Sequence, residues 1–405
     1  MSTVQFSENE QQRESLQSAI RYIARLDLLH IEPGTYVRLP MICSNRLSNG
    51  FERIQGGHFV RYLVRQALKD LHTRVTEFAS YPQKNDTQRV VDYDALPIQL
   101  GALTLREPGE SVQVSGITLR GSNDGIYDEA GRHVWRKSGL YITGPFGIGK
   151  SHLVYGIVSI LRTDPTYRVI YLNNCYEWTK CWEHEAFEFL LSEIDAALVN
   201  DWQDVNLSYS TWRTRMLAAP VASKVFAEFL RHLEAWCKSR EIHLLWIFDQ
   251  FNGMYPNQWK TCFPWDVPVS FRNVRRSKVV VVANATNDRH KMYSEGFHAW
   301  HLLPTVSLSE MRSYLVTDTI TDEQLDTLAY WTGGLFLELG KFGQLARTRL
   351  HTVGFDALMS EFVSKRVQHY INLHLHFRAT VRYDEPALNA AVTHMLLDSP
   401  MLSPL

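Results

Sequence analysis

The run Gly144-Pro-Phe-Gly-Ile-Gly-Lys-Ser151 places two glycines, a lysine and a hydroxyl in the spacing G-x-x-x-x-G-K-S. Residues of these types at this spacing can hold phosphate. A loop without side-chain bulk lets backbone N–H groups wrap an anion, and a helix N-terminus behind it adds the positive end of its dipole. The contacts expected run through Gly144, Pro145, Phe146, Gly147, Ile148, Gly149, Lys150, Ser151 and His152. Lys150 would sit on the β/γ-phosphate oxygens, and the Ser151 hydroxyl would ligate Mg2+. Such a loop needs a strand that stops abruptly before it and a helix that starts after it. Gly139-Leu-Tyr-Ile-Thr143 reads as that strand. Ser151 to Arg162 reads as that helix, with Leu153, Val154, Ile157 and Ile160 on one side. The chain is therefore expected to bind a nucleoside triphosphate.

A metal at such a site needs a carboxylate. Ile242-His-Leu-Leu-Trp-Ile-Phe-Asp-Gln250 is an almost unbroken apolar run ending in Asp249, the pattern of a buried parallel strand. Ligands bind at the C-terminal edge of open parallel sheets, so Asp249 and Ser151 are the expected metal residues. Many P-loop ATPases of the AAA and STAND groups carry a Glu after the metal Asp. Here Gln250 stands in its place. An amide can orient a water but cannot take its proton. Glu177, after the next strand, is a candidate substitute base, with a solvated structural role as its alternative.

Ser277 to Asp288 gives a third strand of four valines followed by small polar residues. Asn284 and Asn287 are candidates to sense the γ-phosphate, and alternation alone does not choose between them. Arg272, Arg275, Arg276 and Arg289 flank this strand as candidate transition-state cations.

The 405 residues are 45% hydrophobic with 11 Trp, 18 Tyr and 19 Phe, enough to bury a large core over two or three domains. A net charge of −1 gives no bulk field favouring nucleic acid. The polar, acidic start is not a secretory signal peptide, and no apolar stretch is long enough to predict a transmembrane segment. Five irregularly spaced cysteines read as reduced thiols. The expected location is intracellular, in cytoplasm or nucleus.

Four stretches are expected: 1–95 mainly helical, 96–138 β-rich, 139–305 the P-loop NTPase core, and 306–405 a helical lid with C-terminal helices. In the first, Ser7 and Glu10 make a capping-box signal, and Phe59 to Leu71 reads as a helix. In the second, Val112 to Leu119 alternates as strands do, and Asp128 to Gly131 reads as a turn. In the third, Arg168 to Cys175 reads as the strand after the loop helix. Trp182–Val199 and Ala222–Lys238 then read as helices. Trp178, Trp182, Trp202 and Trp212 suit an aromatic core better than a docking patch. In the fourth, Tyr330-Trp-Thr-Gly-Gly ends one helix and starts another. The histidines His298, His301, His369, His374 and His376 show no ligand spacing.

Gly-Pro-Phe-Gly-Ile-Gly-Lys-Ser, Tyr-Leu-Asn-Asn-Cys-Tyr-Glu-Trp, Phe-Asp-Gln-Phe-Asn-Gly and Tyr-Trp-Thr-Gly-Gly together resemble the P-loop ATPase module of Crinkler-type proteins of fungi and oomycetes. That module is itself similar to the retrotransposon hot spot proteins of trypanosomes. The resemblance covers roughly residues 100 to 345. It implies ATP and Mg2+ as cofactors, nucleotide contacts at Gly144 to Ser151 and metal coordination near Asp249. The chain departs from it by lacking a Leu-Phe-Leu-Ala-Lys-type header and an Asp…Glu-x-Lys nuclease set. In STAND ATPases a Gly-x-Pro lid motif meets the base, whereas Phe336 stands here where the proline is expected.

The resulting expectation is an α/β P-loop NTPase core on a parallel sheet, with an N-terminal helical and β extension and a C-terminal helical lid. Lys150, Gln250, and Asn284 or Asn287 form the catalytic set of an ATP hydrolase that switches a lid or a partner interface. The alternative is an ATP-bound scaffold that does not hydrolyse. A third reading, a nucleic-acid-stimulated motor, lacks a basic stripe. The expected partners are ATP and either another protein or further copies of the chain.

Overall fold

The computed structural model describes residues 2–42, 52–54, 58–80, 111–114, 117–122, 125–127, 133–136, 139–144, 146–254, 263–265, 267, 278–283, 297–302, 306–315 and 319–380. Helix α1 (Ser2–Leu26) is followed by strands β1 (Tyr36–Pro40), β2 (Arg53–Ile54) and β3 (Phe59–Leu63), then by α2 (Gln66–Ser80). Strands β4 (Ser111–Val114), β5 (Ile117–Ser122), β6 (Gly125–Tyr127) and β7 (His133–Arg136) form an antiparallel meander. The core then runs β8 (Gly139–Thr143), α3 (Lys150–Leu161), β9 (Tyr167–Leu172), α4 (Cys175–Trp178), α5 (Glu183–Ala197), α6 (Tyr209–Ala218), α7 (Ala222–Ser239), β10 (His243–Phe248), β11 (Lys278–Val282) and β12 (Phe297–His301). Helices α8 (Leu308–Leu315), α9 (Asp322–Thr332), α10 (Phe336–Val353) and α11 (Phe355–Thr380) follow.

The central sheet has the order β12-β8-β11-β10-β9, and every pairing in it is parallel. Apolar side chains alternate between its faces with the strand period of two. Leu140, Ile142, Val169, Tyr171, Leu245, Ile247, Val280 and Val282 enter one apolar cluster. Their neighbours Tyr141, Ile170, Leu172, Leu244, Trp246, Phe248, Val279 and Val281 enter another. A sheet buried on both faces needs continuous apolar runs, which is why these strands read so plainly in the sequence. The second cluster is closed by α5 and α7 through Leu190, Ile194, Phe229 and Leu233. Trp178 lies wholly in it, and Trp202 and Trp212 pack against it, whereas Trp182 is 81% exposed.

The first cluster is closed by α3 together with the N-terminal segment: Ile23, Leu39, Val60, Tyr62, Leu68 and Val75 all join it. Two polar ties cross the same contact. Tyr155 Oη donates to the Pro40 carbonyl at 2.9 Å, and Arg162 donates to the Ile42 carbonyl.

Two N-terminal expectations are corrected. Phe59–Leu63 is a strand, because Val60 and Tyr62 alternate inward in register with β1. The helix begins only at Gln66, after the chain has turned. Ser7 lies inside α1, which already starts at Ser2, so it is not an N-cap. Strand β12, which the sequence reading did not separate, forms the sheet edge beside β8.

The chain divides into two compact units, one of Met1–Tyr314 with Leu335–Leu337, the other of Leu315–Gly334 with Glu338–Leu405. Within the second, Thr321 and Gln324 form a capping box at the start of α9. Gly333, at φ +60°, ends that helix in the left-handed region, as the Thr-Gly-Gly signal implied. Phe342 packs on Phe355 and Phe362 to join α10 to α11. Among the described residues, no helix is long and apolar enough to cross a membrane.

Gly156 tests the docking of α3 on the N-terminal strands. A methyl group there would collide with Tyr62 Oη and fall 2.6 Å from its Cζ. Helix propensity alone favours Ala by about 1 kcal/mol. Overpacking predicts the opposite sign, a loss of about 1–3 kcal/mol. Gly156→Ala should therefore melt lower than the wild type; a higher melting temperature would contradict this packing.

Candidate functional site

Strand β8 ends at Thr143 and the loop begins at once. Gly147 and Gly149 have φ of +83° and +89°, backbone that other residues enter only with strain. Gly149 is the residue before α3, so the helix N-terminus opens directly onto the loop. Lys150 is buried and its Nζ donates to the Gly144 carbonyl at 2.9 Å. Burial lowers its pKa to about 8, against the attraction of Asp249.

Asp249 follows β10 at the same sheet edge, one strand removed from β8. Its carboxylate is 1% exposed. Oδ1 accepts hydrogen bonds from Ser151 Oγ at 3.0 Å and from the Gln250 N–H at 2.8 Å. Tyr171 Oη donates to Oδ2 at 3.3 Å. Burial outweighs these bonds and raises the carboxyl pKa to about 6. The two expected metal residues, 98 positions apart, thus meet. A hydroxyl and a carboxylate, both hard oxygen donors, fit Mg2+.

Gln250 has φ +54°, an uncommon conformation for a residue with a side chain and one that marks a locally constrained turn. Its carbonyl accepts the Gly253 N–H at 2.9 Å in the turn Phe251–Met254. Asn173 follows Leu172, which is paired with Phe248, and so stands beside Asp249 at the strand ends. It is buried, and neither amide atom has a hydrogen-bond partner among the described residues. Such groups are rare because each costs the desolvation it cannot recover. The adjacent Asn174 has a structural task, accepting the Glu177 N–H at 3.0 Å as the cap of α4. The Glu177 carboxylate pairs with Lys180 at 2.8 Å, each side chain about half exposed.

His152 is engaged by the N-terminal sheet. Its ring stacks on Tyr62 at 4.2 Å, and Nε2 lies 3.2 Å from the Leu63 nitrogen and 3.1 Å from its oxygen. Burial lowers its pKa to about 4. Phe146 is exposed, and Ile148 is buried. Phe336, in the place of the lid proline, holds its ring 4.4 Å beneath the Arg65 guanidinium. Pro145, Asn284, Asn287, Arg272, Arg275, Arg276 and Arg289 lie outside the described residues. Tyr171 and Asn173 lie in the Tyr-Leu-Asn-Asn motif quoted from the sequence, which assigned neither of them a role at the site; Arg65 is the site neighbour that was not singled out.

No protein-family model and no curated protein sequence matches the chain. Among solved structures it is similar to the Walker-type ATPase of Pyrococcus abyssi at 14% identity and a TM-score of 0.40, covering 59% of this chain and 71% of that one. PCH-2 of C. elegans gives 12% identity and 0.33, covering 74% and 68%. Cdc6p of Pyrobaculum aerophilum gives 13% and 0.30, covering 67% and 66%. The fold itself is read from the chain's own coordinates. A five-stranded parallel sheet carries a glycine loop between β8 and α3, and a carboxylate stands at the end of β10, with β11 between the two strands. That is a P-loop NTPase fold.

The raised Asp249 pKa makes a signed prediction for the protein without ligands. The folded chain keeps a proton that the unfolded chain releases between pH 3.8 and about 6. The stabilisation from Asp249 is full below that window and is lost as pH rises through it. Asp249→Asn removes the titration, so the variant should gain on the wild type across this window and melt a few degrees higher at pH 7.5. His152 shifts the other way but is present in both proteins and drops out of the difference. A variant that melts lower at every pH, with a constant offset, would contradict the assignment.

Proposed function

We propose that this chain is a Mg2+-dependent ATPase whose turnover is slow because an amide, Gln250, occupies the place of a carboxylate base. The observation that carries it is the buried Ser151–Asp249 contact at 3.0 Å beside Lys150, at the mouth of a glycine loop.

In this reading Lys150 exchanges the Gly144 carbonyl for a γ-phosphate oxygen. It enters with a lowered pKa of about 8, and the substrate's negative charge returns it to the fully protonated state. The loop amides and the N-terminus of α3 hold the β-phosphate. Ser151 and Asp249 would hold Mg2+, which would supply neutralisation of the phosphates' charge. Gln250, fixed by its turn, and Asn173, with its two unengaged amide atoms, orient the attacking water. Phosphoryl transfer is loose enough that positioning supplies much of the rate. Asn284 or Asn287 is the proposed γ-phosphate contact, and a flanking arginine the proposed transition-state cation. ATP as the nucleotide follows the resemblance to Crinkler-type modules; a lid or partner interface as the switched element, and assembly with another protein or further copies, complete the proposal. A specific observation favours the second reading, an ATP-bound scaffold: no carboxylate base adjoins Asp249 among the described residues, and Glu177 is committed to Lys180.

Phosphate release from Mg-ATP separates the two. The wild type should turn over slowly, and Gln250→Glu should accelerate it roughly tenfold or more. Purified wild type carrying unhydrolysed ATP, with Gln250→Glu equally inert, would overturn the hydrolase in favour of the scaffold.

A further inference from the structure

The outer side of the phosphate loop is held by two donors from distant parts of the chain. The Leu337 N–H, in the first turn of α10, donates to the Gly147 carbonyl at 3.1 Å. Arg65 Nη1 donates to the Ile148 carbonyl at 2.9 Å. A trans peptide carries its N–H on the side opposite its C=O. With these two successive carbonyls committed outward, the N–H groups of Ile148 and Gly149 face the other side, where an anion-binding loop needs them.

Arg65 is a costly donor for one carbonyl. Its guanidinium is 1% exposed, and Nε and Nη2 have no hydrogen-bond partner among the described residues. Glu310 comes only within 3.8 Å of Nε, and Phe336 offers its ring face at 4.4 Å. An underpaired buried cation is normally disfavoured. At the preceding peptide a neutral amide, the Leu337 N–H, holds the loop carbonyl. What an arginine adds is charge: it polarises the Ile148–Gly149 peptide and makes the Gly149 N–H a stronger donor.

The surroundings fix Arg65 where it can do this. It sits between β3 and α2, and the N–H of the next residue, Gln66, donates to Glu310 Oε1 at 3.1 Å. Glu310 Oε2 accepts the Ser307 N–H at 2.8 Å, tying the start of α8 to the same point. A side chain on Gly149 would begin 3.0 Å from Arg65 Nη1, so the glycine also admits the guanidinium.

We propose that Arg65 is a positioning residue for the nucleotide phosphates, locking the Ile148–Gly149 peptide with its N–H turned inward and strengthening that donor from behind the loop. This rests on the nucleotide-binding reading above. Arg65 acts through the loop amide, so its effect belongs to the phosphates and not to the base.

The test is calorimetric titration of the full chain with Mg-ATP and, separately, with magnesium tripolyphosphate, which has phosphates and no base. Arg65→Met should weaken both by about tenfold or more, without lowering the melting temperature of the ligand-free protein. Arg65→Lys should recover part of the loss. Glu310→Gln, which leaves Arg65 without its counter-charge, should tighten tripolyphosphate binding about threefold or more. A merely structural Arg65 predicts unchanged or weaker binding there, and this arm decides the matter if Arg65→Met does not fold. Wild-type affinity in Arg65→Met would overturn the role of Arg65 alone. A wild type that binds neither ligand would overturn the nucleotide-binding reading and this inference with it.

Discussion

The site depends on one carboxylate drawn out of water. Asp249 stands at the end of a strand buried on both faces, and the apolar run that makes β10 a central strand also strips its last residue of solvent. Three donors, from Ser151, Gln250 and Tyr171, only partly replace the lost hydration, and the carboxyl remains raised to about 6. The ionised carboxylate is therefore held at a cost in lost hydration, which the proposed cation would offset. Lys150 is the mirror case, a buried ammonium lowered to about 8 and resting on a backbone carbonyl. In the proposed reading both charges are completed by a ligand carrying phosphates and a metal.

The N-terminal segment belongs to this machinery. It covers the face of α3 turned away from the second core and stacks Tyr62 on His152, the residue after the loop serine. Its β3–α2 turn carries Arg65 to the Ile148 carbonyl. The glycine loop is thus braced from outside by a segment that precedes it by some eighty residues in the chain, the separation from Arg65 to Ile148 being 83. A loop whose amides must face one ligand has to have its carbonyls satisfied on the other side.

The central strands were legible because burial on both faces demands unbroken apolar runs: Leu140 to Ile142, Val169 to Leu172, Leu244 to Phe248, Val279 to Val282. The loop was legible because phosphate binding dictates residue types at fixed spacing. Phe59 to Leu71 misled because Val60, Val64, Leu68 and Leu71 keep helical spacing across what is a strand, a turn and a helix. Strand β12 was hidden by a sequence, Phe-His-Ala-Trp-His, without a long aliphatic run. Arg65 was invisible for a different reason: it acts on a partner far along the chain, which no local pattern encodes. Asn173 stood in a quoted motif, but its unpaired amide shows only in the fold.

The central claim is that the loop from Gly144 to Ser151 and the carboxylate of Asp249 form one triphosphate-binding site. Equilibrium titration of Mg-ATP into the purified chain, beside its Lys150→Ala variant, tests this most directly. Saturable binding that needs Mg2+ and disappears with Lys150 is the result this account predicts. Mg-ATP bound equally well by Lys150→Ala, or by neither protein, would contradict it.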